Sequence, residues 1–208
     1  MHHVAGSSVE PAVFRSRRPD NEIPVSVPID VLLARTDDLA VAITGARAFT
    51  TGLDFTLAVR SRAARRDGLI DDLGGHRPPG TDRSRHFLLG FEFADGRTVT
   101  NVDTWPPPVD SDVPTLVPGS GGASTRFADH DFFLSPIPPP GDLIVVCAWP
   151  AADVPETRTV LDAGAIVDAA RRVIVLWPEP VDEPPLPPVE PPPVPPGGWF
   201  ERAVGRRR

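Results

Sequence analysis

The sequence predicts a mainly β protein: an antiparallel β-sandwich, immunoglobulin-like or jelly-roll-like, with one C-terminal helix and a disordered Pro-rich tail. Three observations lead there. Apolar residues recur every second position in several segments, the period of a half-buried strand. Turn signals separate these segments at short intervals. Prolines then crowd the stretch after Trp177, where no core can form. The implied boundaries are a flexible N-terminal arm over 1–21, a sandwich domain over 22–178 and a tail over 179–208. No internal repeat is visible.

The elements follow in order. Residues 1–22 are polar and mixed, so order is expected to begin near Glu22. Ile23, Val25, Val27, Ile29 and Val31 share one parity, with Pro24 and Pro28 on the other. Proline donates no N–H, so this is an edge strand. Thr36 to Asp38 turns the chain, and Leu39, Val41 and Ile43 begin a second strand. Leu53, Phe55, Leu57 and Val59 alternate with Asp54, Thr56, Ala58 and Arg60, giving a third.

Residues 63–84 read as a long charged loop. Phe87, Leu89, Phe91 and Phe93 mark the next strand. Asp95-Gly96 before Thr98 signals a hairpin, because glycine accepts positive φ. A second long loop begins at Trp105 and is expected to end in a flexible stretch from Gly119 to Ser124. Strands are expected again from Arg126 to Ser135 and from Leu143 to Trp149. In the latter both parities are apolar, which predicts cover on both faces. Glu156 to Leu161 reads as one more short strand. Ile166, Ala169, Ala170 and Val173 then recur at helical spacing, with Asp162 as N-cap. Val173 to Trp177 reads either as the end of that helix or as strand.

Between Pro178 and Pro196, 11 of 19 residues are proline. Such a chain favours extended polyproline II, reaching roughly 60 Å at about 3.1 Å per residue. Beyond it stand Trp199 and Phe200, then Arg206, Arg207 and Arg208. An aromatic pair beside a basic end, carried on a stiff spacer, has the layout of a docking peptide.

Composition excludes several classes. Net charge is −7 with a pI near 5.2, so no general electrostatic footprint for nucleic acid exists. Cys147 is the single cysteine, which rules out an internal disulfide and a cysteine-rich zinc site. No apolar run approaches the roughly 18 residues of a membrane span, and residues 1–20 lack the apolar centre of a secretory leader. The expectation is a cytoplasmic protein. All 21 basic residues are arginine and tyrosine is absent. Lysine and tyrosine have A/T-rich codons, so this reads as the bias of a high-G+C genome.

Phe93, Asp95, Gly96, Pro138 to Gly141, Trp149-Pro150, Glu156 to Arg158 and Leu176 to Pro178 carry a resemblance. Across about 22–178 the chain resembles a group of uncharacterised proteins from high-G+C actinobacteria. The resemblance implies a source and no activity.

Candidate sites are sparse. Asp129, His130 and Asp131 form the densest cluster of ligand-type residues, but strand geometry puts only Asp129 and Asp131 on one side. His76, His86 and His130 with Asp71, Asp72 and Asp103 lack a nucleophile in a recognisable elbow. Gly119 to Gly122 lacks the lysine of a phosphate loop. Cys147 reads as a small buried hydrophobe. Trp105, Trp149 and Trp177 read as core or rim residues; Trp199 has no nearby core in the sequence to receive it. No catalytic, metal or cofactor residue is assigned.

The preferred functional reading is a non-catalytic interaction or accessory protein that binds a protein partner through Trp199, Phe200, Arg206, Arg207 and Arg208. The alternative is an enzyme or small-ligand binder with a site formed by loops 63–84 and 106–125 plus Asp129–Asp131. A third reading has Trp199 and the closing arginines bind an anionic surface.

Overall fold

A computed structural model describes residues 18–65, 69, 73, 86–102, 113–178 and 196–205. The chain is mostly antiparallel strand, as the two-residue period requires. One sheet is built from β2 (Val25–Ser26), β3 (Val31–Arg35), β4 (Leu39–Ala48), β5 (Leu53–Ser61), β8 (Thr115–Ala123) and β9 (Phe127–Ser135). Its order is β2-β4-β5-β9-β8, with β3 also on β4. The second sheet has the order β11-β10-β6-β7, from β6 (Leu88–Glu92), β7 (Thr98–Thr100), β10 (Asp142–Trp149) and β11 (Val154–Asp162). β1 (Glu22–Ile23) pairs with β12 (Ile174–Val175) in a separate ribbon. Strand pairs alternate between the two sheets along the chain, so each crossing brings the next pair onto the opposite layer.

The predicted apolar parities make the core. Leu53, Phe55, Leu57 and Val59 face Leu89, Phe91, Val145, Cys147 and Trp149, all within one buried cluster. Phe55 and Phe91 meet across the sheets at 5.5 Å between ring centroids, edge to face. Leu69 and Leu73, from the charged stretch after β5, are buried in the same cluster. The Asp95-Gly96 signal holds: Gly96 has φ +83 and its N–H bonds the Phe93 carbonyl at 2.8 Å.

Four expectations are corrected. The edge strand from Glu22 is broken into β1, β2 and β3, because Pro24 and Pro28 supply no donors to a continuous ladder. The stretch from Gly119 to Ser124 is not a flexible loop end: Thr115–Ala123 pairs with β9 across a bulge between Pro118 and Gly121. An edge strand can be held by its backbone alone, so it needs no apolar alternation. The helix near the C-terminal end of the domain, α1, is only Gly164–Ala170 and is capped at Ala163. Asp162 instead accepts the Gly164 N–H at 2.8 Å, and Ile174–Val175 is strand.

The fourth correction concerns the tail. Residues 179–208 were expected to stay apart from the body. A second helix, α2 (Trp199–Gly205), instead packs on the outer face of the β11-β10-β6-β7 sheet. The physical reason is β10 itself. Its inner parity feeds the core, while its outer parity places Val146 and Ala148 beside Leu88 and Val102. That face is apolar and a cover lowers its free energy.

Candidate functional site

The outer sheet face under α2 is where the distinctive chemistry of the described residues gathers. Its floor is Leu88, Val146 and Ala148, with Val102 at one side and Ile144 beyond. Between Leu88 and Glu92, Gly90 leaves a notch. A Cβ there would lie 2.8 Å from Cη2 of Trp199 and 3.2 Å from Cε1 of Phe200. The indole therefore occupies the volume that any other residue at position 90 would fill.

Two carboxylates fix the orientation. The backbone N–H of Trp199 donates to Glu156 Oε2 at 3.0 Å. The indole Nε1–H donates to Glu92 Oε2, also at 3.0 Å. Arg158 Nη2 donates to the same Glu92 oxygen at 2.8 Å, which holds that carboxylate in place. Hydrogen bonds to a charged acceptor are stronger than neutral ones, and the bond from the indole to Glu92 is one that a phenylalanine ring could not make. Trp199, Phe200 and Ala203 are buried, and the two rings stand edge to face at 5.2 Å. Gly197 N–H donates to Glu201 Oε2 at 2.7 Å, closing the first turn of the helix.

Two hollows flank the helix. One, of about 520 Å³, opens between its start and the β10–β11 corner, lined by Leu88, Ala148, Val154, Glu156, Pro196 and Phe200 among others. The other, of about 240 Å³, is polar and lies between Glu92, Thr98, Arg158 and Arg202.

The remaining candidates behave differently. Asp129 accepts from Arg60 Nη1 at 2.6 Å, and Asp131 accepts from Thr56 Oγ1 at 2.7 Å. Both carboxylates lie on the outer face of β9. His130 points the other way, into the core opposite Leu57, with its ring 5.0 Å from that of Phe132. Neither of its nitrogens has a partner among the described residues, and burial pushes its pKa down, partly offset by Asp131. The three residues therefore do not converge. Among the described residues no group of three or more histidine, cysteine or acidic side chains is placed to hold a metal ion.

Cys147 is buried, 3.1 Å from Thr157 Oγ1, and burial raises its pKa. That is the environment of an inert thiol. Trp149 is fully buried, whereas Trp177 is 57% exposed on the β1–β12 ribbon. His86 is buried. His76, Asp71, Asp72, Asp103, Trp105, Arg206, Arg207 and Arg208 lie outside the described residues, as do most of 63–84 and residues 106–112.

Sequence reasoning singled out Trp199 and Phe200 but missed Gly90, Glu92 and Glu156, which receive them. The signal was present in the apolar outer parity of β10 and in a glycine placed mid-strand. Among the described residues no helix is long and apolar enough to cross a membrane. No protein-family model, curated protein or solved structure matches the chain.

Proposed function

We propose that this chain is a non-catalytic interaction protein whose working part is a peptide and its receptor. The peptide is the Trp199–Phe200 segment on its proline-rich spacer; the receptor is the Gly90 notch with Glu92 and Glu156. The single observation that carries the reading is the fit of the Trp199 indole into the space above Gly90, with its ring N–H donated to Glu92 and the Trp199 backbone N–H donated to Glu156. Burying an aromatic ring of this size is worth about 1.5–3 kcal/mol. Two hydrogen bonds to carboxylates add to it, and the ordering of the segment's backbone opposes both. A seven-residue helix held by two rings is therefore weakly seated and able to leave and return. The membrane-surface reading requires Trp199 to be free, so it competes with this seat. The single cysteine, with no partner in the chain for an internal disulfide, supports a cytoplasmic setting.

The test uses the full chain carrying Trp199→Ala and Phe200→Ala, which leaves the receptor open. A fluorescent synthetic peptide of residues 196–208 is titrated against it and anisotropy is read. Saturable binding, weakened by Glu92→Ala or Glu156→Ala on the receptor, is expected. An anisotropy that stays flat up to roughly millimolar protein, the effective concentration of a short tether, sinks the proposal.

A further inference from the structure

We infer that the groove between the start of α2 and the β10–β11 corner binds a small organic cation with an aromatic body. Its volume of about 520 Å³ falls within the roughly 300–1,000 Å³ of small-molecule sites. Its walls are apolar, with Leu88 of β6 and Ala148 of β10 on the sheet side and Pro196 and Phe200 on the helix side. The two charged residues that line it, Asp153 and Glu156, are both acidic, and among the described residues no arginine does so. An apolar hollow edged by carboxylates without a counter-charge attracts an apolar body that carries a positive end.

The state of each carboxylate sharpens this. Asp153 follows a single 3-10 turn over Pro150–Ala152, with φ 55 and its backbone N–H on the Pro150 carbonyl at 3.2 Å. Its side chain makes no hydrogen bond or ion pair among the described residues, so the backbone corner alone places that acid. Glu156 accepts the Trp199 N–H on Oε2, which leaves Oε1 to face a ligand. The polar hollow on the other side of α2 has the opposite character, with Arg158 and Arg202 against the one carboxylate of Glu92. The two hollows therefore sort ligands by sign, and a cation is directed to the first. Because its walls come from both the sheet and the α2 segment, a bound ligand favours the seated helix by mass action. The groove exists while α2 is seated and does not require that the helix ever leave, so it stands or falls apart from the peptide–receptor reading.

Three ligands of one shape test this on the full parent chain. Diphenylpropylamine, diphenylpropanol and diphenylpropanoate are positive, neutral and negative near neutral pH, and calorimetry reads their binding. The amine, with about 16 non-hydrogen atoms, is expected to bind with a dissociation constant of roughly 0.1–1 mM. It is expected to bind about fivefold tighter than the alcohol, with the carboxylate weakest. Asp153→Asn preserves the left-handed corner, which asparagine accepts, and leaves the Glu156 bond to Trp199 in place. In that variant the advantage of the amine over the alcohol is expected to shrink to about twofold or less. Raising salt from roughly 20 mM to roughly 300 mM should narrow the same advantage in the parent, a readout that needs no variant to fold. Equal affinity for amine and alcohol overturns the inference, as does binding that fails to saturate by about 5 mM amine. So does an advantage that survives Asp153→Asn or is untouched by salt.

Discussion

At the scale of single residues, the position that most repays attention is His130. Its neighbours on β9 were read from the sequence as a cluster, yet alternation sends its ring inward, opposite Leu57 and beside Phe132, with Gly121 across the edge. Desolvation lowers its pKa in the fold below the ordinary value of 6.5. The unfolded chain therefore binds a proton that the folded chain refuses, and stability falls as pH drops below about 6.5. His130→Leu removes that group and two unpartnered buried nitrogens. We expect the variant to be more stable near neutral pH by about 1 kcal/mol. Its melting temperature is also expected to decline less than that of the parent between neutral pH and about pH 5.5. Equal slopes in the two melting curves contradict the assignment. The inward direction of His130 was legible from its parity with Ala128 and Phe132; that no polar neighbour meets it was not, because pairing across sheets depends on the fold.

At the scale of elements, β10 and α2 belong together. β10 is covered on both sides, as its continuous apolar run predicts, but the outer cover comes from beyond the prolines. Composition alone suggested that nothing after Pro178 rejoins the body, because prolines forbid a ladder within the spacer. They do not forbid a helix after it. β8 was missed for the opposite reason: Pro118, Gly119, Gly121 and Gly122 erase the side-chain pattern while leaving enough backbone groups to pair with β9. The two buried tryptophans make the distinction between cover and core measurable. Trp149→Ala hollows the interior and should cost about 3–5 kcal/mol. Trp199→Ala can cost no more than the seating of α2, since the helix leaves instead of collapsing, and about 1–2 kcal/mol is expected from the narrow margin between burial and ordering. Urea midpoints give both numbers, and an apolar dye should brighten only with the second variant near neutral pH. A Trp199→Ala loss as large as that of Trp149→Ala makes α2 a structural part of the core.

At the scale of the whole molecule, the two-layer body was readable because each inner strand obeys one parity and each turn carries its own residues. The seating of α2 was not, because its parts come from β6, β11 and the segment after the spacer, separated by over a hundred residues between Glu92 and Trp199. Only the fold brings them to one face. Cys147 offers a global check. It is buried between the sheets with a raised pKa, so a thiol reagent reaches it only when the layers part. Its labelling rate should follow global unfolding, rising in Trp199→Ala by no more than the roughly 5- to 30-fold that a loss of about 1–2 kcal/mol allows. Fast labelling in the folded parent shows that the layers open locally.

The Gly90 notch has one more consequence. Trp149 and Trp199 lie on opposite sides of the same sheet, one sealed within and one seated without. With Trp105 and Trp177 replaced by phenylalanine, and no tyrosine in the chain to feed either ring, the two indoles become separate optical reporters. Light from one follows the interior and light from the other follows the perch. Any departure of the helix from its perch then dims or shifts the outer signal while the inner one holds steady.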